Sequence, residues 1–253
     1  MFQIIRNWLD RRIIERSTIT PSQWGAAFAV LPLLDGLKGD EKRRLRELAI
    51  LFLHRKAIEG AHDLVVTQSM ALIIALQACL PVLELGLARY DGWSVVIVYP
   101  SGFAPERVVM DEYGVEHRVR DELAGEAWQR GPVILAWDET EQAGYVDGHN
   151  LVIHEFAHKL DMQNGEANGF PLLHREMDPV AWTSAFSAGF EDFEQRCRDG
   201  GDIGISCYGA SSPAEYFAVL SEVFFERPDL LRRHYADVYE QMRQFYRQDT
   251  HRN

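Results

Sequence analysis

The most constraining feature of the chain is a pair of histidines four residues apart, with a glutamate directly after the first. The residues from His154 to His158 read His-Glu-Phe-Ala-His. Asn150 suits the N-cap of a helix, and apolar residues recur beyond it at helical spacing. Four helical residues advance by about 400°, so the two imidazoles project from the same side, one turn apart. The pattern predicts a helix whose histidine face meets another segment of the chain.

This spacing is typical of a zinc site. The imidazoles of His154 and His158 suit two corners of a zinc tetrahedron. Glu155 lies beside the first ligand and can reach a metal-bound water without coordinating the metal, which suits a general base. The alternative is an ordinary amphipathic helix with two histidines on its polar edge. The motif favours hydrolysis of peptide bonds by activated water.

A zinc ion needs a third protein ligand, and the sequence offers more than one. The extended motif with a third histidine beyond a glycine turn is absent, because Asp161 and Asn164 occupy its two positions. We expect Asp161 to orient an imidazole instead. A later predicted helix carries Glu215 and Glu222, which the pattern alone leaves nearly equal. Glu215 is alternatively part of a capping box with Ser212, and Glu222 a surface residue or a partner of a ligand.

The pattern of elements around the motif predicts an α+β fold with a small mixed sheet. Residues 21–87 have helical periodicity. Short apolar runs over 93–99 and 131–137 predict strands, and a hairpin is expected to pair 108–110 with 116–119. The run over 131–137 is a candidate edge strand for aligning an extended peptide. Its alternative is a plain core strand.

No linker rich in glycine, serine or proline marks a domain boundary. Beyond Gly148 the chain returns to helical patterns, which include the zinc-binding helix and further C-terminal helices. We therefore expect a single domain over 1–253, with a helical N-terminal part over 1–90 and a catalytic core over 91–253.

Charge and cysteine content narrow the partners and the compartment. The chain has 26 lysines and arginines against 38 aspartates and glutamates, a net charge of −12. Phosphate backbones repel such a surface, so direct nucleic-acid binding is not expected. We also expect the protein to be a monomer. Cys79, Cys197 and Cys207 are odd in number and lack C-x-x-C spacing, which predicts neither a disulfide framework nor an all-thiolate zinc site. This usage fits a reducing cytoplasm.

Membrane segments are not expected. The N-terminus carries charges where a signal peptide needs an apolar run, and it is typical of a short amphipathic helix that packs on the domain. The most apolar stretch, 70–87, contains Gln77, Pro81 and Glu84. Those residues are costly in lipid, so the stretch predicts a core helix or a helix pair.

Two longer patterns resemble the Mlc titration factor A family of bacterial zinc metallopeptidases. The first runs from His154 to Gly165 and the second from Tyr208 to Phe225. The family is similar in turn to the catalytic core of anthrax lethal factor, a gluzincin-like arrangement with a tyrosine seven residues before the ligand glutamate. Tyr208 and Glu215 keep that spacing. The length and the order of elements are also similar, so the resemblance extends over nearly the whole chain.

The resemblance implies a complete site and two functions. His154, His158 and Glu215 are implied to bind one zinc ion, with Glu155 as general base and Tyr208 as donor to the oxyanion. The implied activity is aminopeptidase-like, although the residues leave endopeptidase action open. The family also implies a partner, the glucose-responsive transcriptional repressor Mlc. The alternative function is a protein that sequesters this repressor and whose zinc site is structural or regulatory.

Overall fold

The structure confirms the predicted α+β fold, with helices before and after a small sheet in chain order. The computed structural model describes residues 2–101, 106–110, 116–120, 125–127, 131–201 and 203–251. In chain order the elements are α1 Phe2–Glu15, α2 Pro21–Ala29, α3 Gly39–Arg55, β1 Ala57–Gly60, α4 Gln68–Cys79, β2 Val95–Tyr99, β3 Glu106–Met110, β4 Glu116–Arg120, β5 Gly125–Ala127, β6 Val133–Ala136, α5 Trp137–Gln142, α6 Leu151–Asp161, α7 Pro179–Arg198, α8 Pro213–Glu226, α9 Pro228–His234 and α10 Ala236–Tyr246. Short 3-10 helices lie at Pro32–Leu34, Leu87–Tyr90, Met162–Asn164 and Cys207–Ser211.

The main sheet is mixed, with strand order β1-β2-β6-β5. The first three strands are parallel, and β5 runs antiparallel to β6. The prediction of an edge strand over 131–137 is wrong, because β6 pairs with β2 on one side and β5 on the other. All four side chains of β6 are buried, so its continuous apolar run belongs to an interior strand.

One strand interrupts the part of the chain that was predicted to be helical. β1 pairs in parallel with β2, with Ala57 opposite Val95. Its side chains are mostly exposed. Because three of its four residues are exposed and only Ile58 is half-buried, the strand has no alternating apolar pattern that the sequence could show.

The predicted hairpin is present as β3 and β4. The two strands pair antiparallel in a separate two-stranded sheet, with Val108 opposite Arg118 and Met110 opposite Glu116. The turn predicted between them, 111–114, lies outside the described residues.

Helix α4 confirms the prediction of a core helix in the most apolar stretch. Its residues from Leu72 to Cys79 are buried, and Thr67 caps its N-terminus by accepting from the backbone N–H of Met70. Across the described part of the chain, no helix is long and apolar enough to cross a membrane. The predicted N-terminal helix is present as α1, and its Ile13 and Ile14 pack against the core. Ile5, Trp8 and Leu9, which form its predicted apolar side, are exposed.

The cysteines correct one expectation. Cys197, in the last turn of α7, forms a disulfide with Cys207, and Cys79 is free and buried. A turn at Gly200 and Gly201 reverses the chain after α7 and returns Cys207 to within 5.7 Å of Cys197, measured between Cα atoms. The separation of 10 residues matches no short motif, so the pairing depends on this turn.

Candidate metal centre

The predicted histidine helix is α6, and it begins as its sequence indicates. The side-chain oxygen of Asn150 accepts a hydrogen bond of 2.9 Å from the backbone N–H of Ile153. Every residue from Val152 to Asp161 is buried. His154 and His158 project from one side, with their ring centroids 4.8 Å apart and their Nε2 atoms 3.2 Å apart. Two potential ligand nitrogens therefore point into the same small volume.

The first turn of α8 brings a carboxylate to this pair. Ser212 caps the helix by accepting from the backbone N–H of Glu215 at 3.2 Å. Instead of returning to the cap, the Glu215 Oε2 atom lies 3.0 Å from the Nε2 of His154 and 3.3 Å from that of His158. Within the described ranges, these three residues are the one group of at least three histidine, cysteine, aspartate or glutamate side chains that could hold a metal ion. Their potential ligand atoms all lie within 4.8 Å of one another.

Two imidazole nitrogens and a carboxylate oxygen suit a divalent transition metal, and three protein ligands are typical of a catalytic rather than a structural site. The donor set and its convergence therefore fit a metal ion. A fourth coordination position would be left for water or substrate.

Glu222 lies on the other side of His154. Its Oε1 accepts a hydrogen bond of 2.7 Å from the ring at Nδ1, and its Oε2 accepts from the backbone N–H of Asn150 at 2.5 Å. The geometry separates the two glutamates that the sequence left nearly equal: Glu215 faces both Nε2 atoms, and Glu222 faces the remaining nitrogen of one ring.

Glu155 is a buried carboxylate beside the first histidine. Its side chain is 3% exposed, and its Oε2 has no hydrogen-bond partner among the described residues. Burial raises its pKa to about 7, and the attraction of His154 and His158 only partly opposes that rise. A carboxyl group with a pKa close to neutrality is suited to accept and release a proton.

Hydrogen bonds within the cluster shift the pKa values of His154 and Glu215 in opposite directions. Burial lowers the pKa of His154, but its hydrogen bonds to Glu215 and Glu222 outweigh burial and raise it to about 10. Burial raises the pKa of Glu215, and the hydrogen bonds from the two histidines overcome this and lower it to about 2. A metal cation would have to displace the proton on the histidine, so binding is expected to release protons.

Tyr208 is next to the histidines. It lies in the 3-10 helix Cys207–Ser211, directly after the disulfide, and its ring centroid is 5.9 Å from that of His154. The side chain is 53% exposed and lines the same cavity as Glu155. The structure thus brings all five residues predicted for the site into one neighbourhood.

The cavity beside the histidines has a volume of about 420 Å³. Sequence reasoning missed two of its carboxylates, Glu139 in α5 and Asp147 in the loop before α6. Neither forms an ion pair with a described cation. No spacing rule links them to the motif, because the sheet and α5 bring them there.

Asp161 does not orient an imidazole as expected. Its Oδ2 accepts from the backbone N–H groups of Asn168 and Gly169, at 2.8 and 2.7 Å. The Nδ1 of His158 has no partner among the described residues. Asp161 stabilises the turn after α6, because its Oδ2 accepts hydrogen bonds from two backbone N–H groups of that turn and not from an imidazole.

A helix with two histidines four residues apart, a glutamate beside the first of them and a second glutamate from a later helix are features typical of one class, the metallopeptidases. Residues 5–247 match the family described as glucose-regulated metallo-peptidase M90, and the chain belongs to this family. Similar relatives include Mlc titration factor A of Cronobacter sakazakii, 38% identical over 237 residues that cover 92% of this chain and 88% of that protein. The protein of the same name from Serratia proteamaculans is 39% identical over 233 residues, which cover 91% of this chain and 88% of that protein. These findings confirm the resemblance identified from the sequence.

Proposed function

We propose that this protein is a zinc-dependent peptidase in which His154, His158 and Glu215 hold one zinc ion. The observation that carries the proposal is the convergence of these three side chains beside the buried carboxylate of Glu155, whose Oε2 has no hydrogen-bond partner among the described residues. Zinc at such a site supplies a Lewis acid and lowers the pKa of bound water to about 7. Membership in a metallopeptidase family supports the same activity.

The remaining chemistry belongs to the side chains. Glu155 accepts the proton of the attacking water and delivers it to the leaving amine, a role that its pKa of about 7 suits. Tyr208 donates a hydrogen bond to the oxyanion from its position beside His154. One such donor is worth about 3 kcal/mol in the transition state. A structural metal site has no use for either residue.

The cavity supports aminopeptidase-like action. A free α-amino group carries a positive charge at neutral pH, and an aminopeptidase needs an acidic group to bind it. Glu139 and Asp147 line the cavity next to the histidines and lack cationic partners among the described residues. We propose that they bind the amino terminus of the substrate.

Substitution Glu155→Gln tests the mechanism. We expect the variant to bind zinc as the wild type does, because Glu155 is not a ligand, and to lose about 10²- to 10⁴-fold in kcat. Zinc content by metal analysis and peptide turnover give the two readouts. His154→Ala is the control that should lose the metal as well. Full activity in Glu155→Gln would refute the role of this carboxylate.

Paired peptides test the amine site. A peptide with a free amino terminus should be cleaved at least tenfold faster, by kcat/KM, than its N-acetylated copy. The double variant Glu139→Gln with Asp147→Asn should narrow that ratio while zinc content stays unchanged. Faster cleavage of the acetylated peptide would point to an endopeptidase.

A second candidate function comes from the name of the relatives. Two proteins at 38% and 39% identity are called Mlc titration factor A. We propose that this chain also binds a repressor of the Mlc type, with the zinc site serving a structural or regulatory purpose in that role. A purified repressor of this type should be retained equally by the wild type and by Glu155→Gln. If neither retains it, the sequestering role fails and the peptidase proposal is unaffected.

A further inference from the structure

Two glutamates one turn apart on α8 reach the start of α6. Glu222 and Glu226 are 6% and 4% exposed, so both carboxylates are removed from water. Glu226 accepts from the backbone N–H of Gly148 at 3.0 Å and from the side-chain amide of Asn150 at 2.9 Å. Glu222 accepts from the backbone N–H of Asn150 at 2.5 Å, and it alone also bonds a ring, that of His154, at 2.7 Å. The two residues thus share a location and differ in one contact.

That contact has a chemical consequence for the ring. An ionised carboxylate only accepts hydrogen bonds, so the Nδ1 of His154 must carry a hydrogen. In the neutral imidazole the lone pair then lies on Nε2, the atom that is 3.0 Å from Glu215. A carboxylate on the far nitrogen also fixes the plane of the ring and strengthens the imidazole as a ligand.

The other histidine lacks this support. The Nδ1 of His158 is buried and has no hydrogen-bond partner among the described residues, and the nearby Asp161 is engaged by the backbone of Asn168 and Gly169. Of the two histidines, only His154 is therefore oriented by a carboxylate among the described residues.

We propose that Glu222 is a positioning residue, which holds His154 as the tautomer that binds metal through Nε2. Glu226 in contrast only anchors the start of α6. This role rests on the proposed zinc site. The contact to the helix start gives Glu222 its own fixed position, because a carboxylate at a helix N-terminus is stabilised by the free N–H groups there.

The matched variants Glu222→Gln and Glu226→Gln test the role. An amide keeps the size of the side chain, but only one of its ends accepts, so Glu222→Gln cannot satisfy both His154 and Asn150. We expect zinc affinity, measured by competition with a chromophoric chelator, to fall 10- to 100-fold in Glu222→Gln. In Glu226→Gln it should change by less than threefold, even if the two variants lose equal thermal stability.

Nitrogen-15 spectra of the zinc-loaded, histidine-labelled protein give a readout that a merely structural role would not move. In the wild type, His154 should show a protonated Nδ1 and a metal-bound Nε2, and in Glu222→Gln this pattern should weaken or be lost. Equal zinc affinity in the two variants, or coordination of zinc by the Nδ1 of His154, would overturn the proposal. A wild type that binds no zinc would instead refute the proposed function, so the two failures are distinguishable.

Discussion

Helices α4 and α6 lie against each other and are both almost fully buried, yet they bury different chemistry. From Met70 to Cys79, α4 buries apolar side chains and a single polar one, Gln77. Helix α6 buries five polar or charged side chains: His154, Glu155, His158, Lys159 and Asp161. Burying such groups costs free energy unless they are paired, and α6 finds its partners on other elements.

The one buried polar residue of α4, Gln77, has its hydrogen-bond partner at the start of α6. The side-chain carbonyl of Gln77 accepts a hydrogen bond of 2.8 Å from the amide of Asn150, the cap of α6. The one polar residue in the apolar helix thus serves the start of the polar helix. Helix α4 therefore stabilises the fold almost entirely by burying apolar side chains, whereas α6 also needs partners on other elements for its buried polar side chains.

The largest expected effect comes from truncating α4. Leu76→Ala removes a fully buried side chain and should lower the free energy of unfolding by about 2–5 kcal/mol, since a cavity adds to the lost transfer energy. Denaturant titration measures the loss. Zinc affinity of the folded protein should stay within about twofold, because α4 supplies no ligand. A large loss of affinity would break the division between the two helices.

The pH dependence of stability tests the partners of α6. Burial raises the pKa of Glu226 to about 7 from an ordinary value of 4.5, more than its hydrogen bonds lower it. Between these two values Glu226 binds more protons in the folded chain than in the unfolded chain, so its contribution to stability is fully present below pH 4.5 and is lost as pH rises to about 7. The fall from this group is about 3 kcal/mol at most.

Glu226→Gln removes that titration. Relative to the wild type, the variant should gain stability on going from pH 5 to pH 8, as measured by denaturant unfolding at both values. Glu155 has a similarly raised pKa and stays in both proteins, so the wild-type decline should be reduced and not abolished. Parallel pH profiles for the two proteins would contradict this account.

A smaller effect is expected at the disulfide, which lies outside both helices. Its loop spans 10 residues, and opening such a loop costs about 3 kcal/mol or less in the chain-entropy account. Adding reductant to the wild type should lower the free energy of unfolding by up to that amount. The double variant Cys197→Ser with Cys207→Ser should not respond. A reductant effect on that variant would mean that another group is responsible.

The sequence predicted what local rules determine. The helix at His154, its Asn150 cap and the antiparallel pairing of 108–110 with 116–119 each follow from spacing within a few residues, and the structure contains all three. The choice between Glu215 and Glu222 needed the packing of α8 on α6, because both residues have plausible local roles. The resemblance to a known family implies Glu215 as the ligand, and the geometry favours the same residue.

What the sequence missed depends on contacts between distant segments. β1 is too short and too exposed to leave a pattern, and β6 became an interior strand only because β5 pairs with it. The expectation that Asp161 orients an imidazole is wrong because local sequence patterns do not predict the turn at Asn168 and Gly169, whose backbone N–H groups bind its carboxylate. The division of the chain into one domain, with parts at 1–90 and 91–253, stays a prediction.

The bonds that Glu222 and Glu226 make to the start of α6 have a consequence for how the site handles its ion. They join α8, which carries Glu215, to α6, which carries His154 and His158, through hydrogen bonds between the protein's own groups. We therefore expect the packing of α8 on α6 to persist when the proposed zinc ion is removed. We expect the protein to exchange its ion reversibly, unloading under chelator and reloading without passing through an unfolded state.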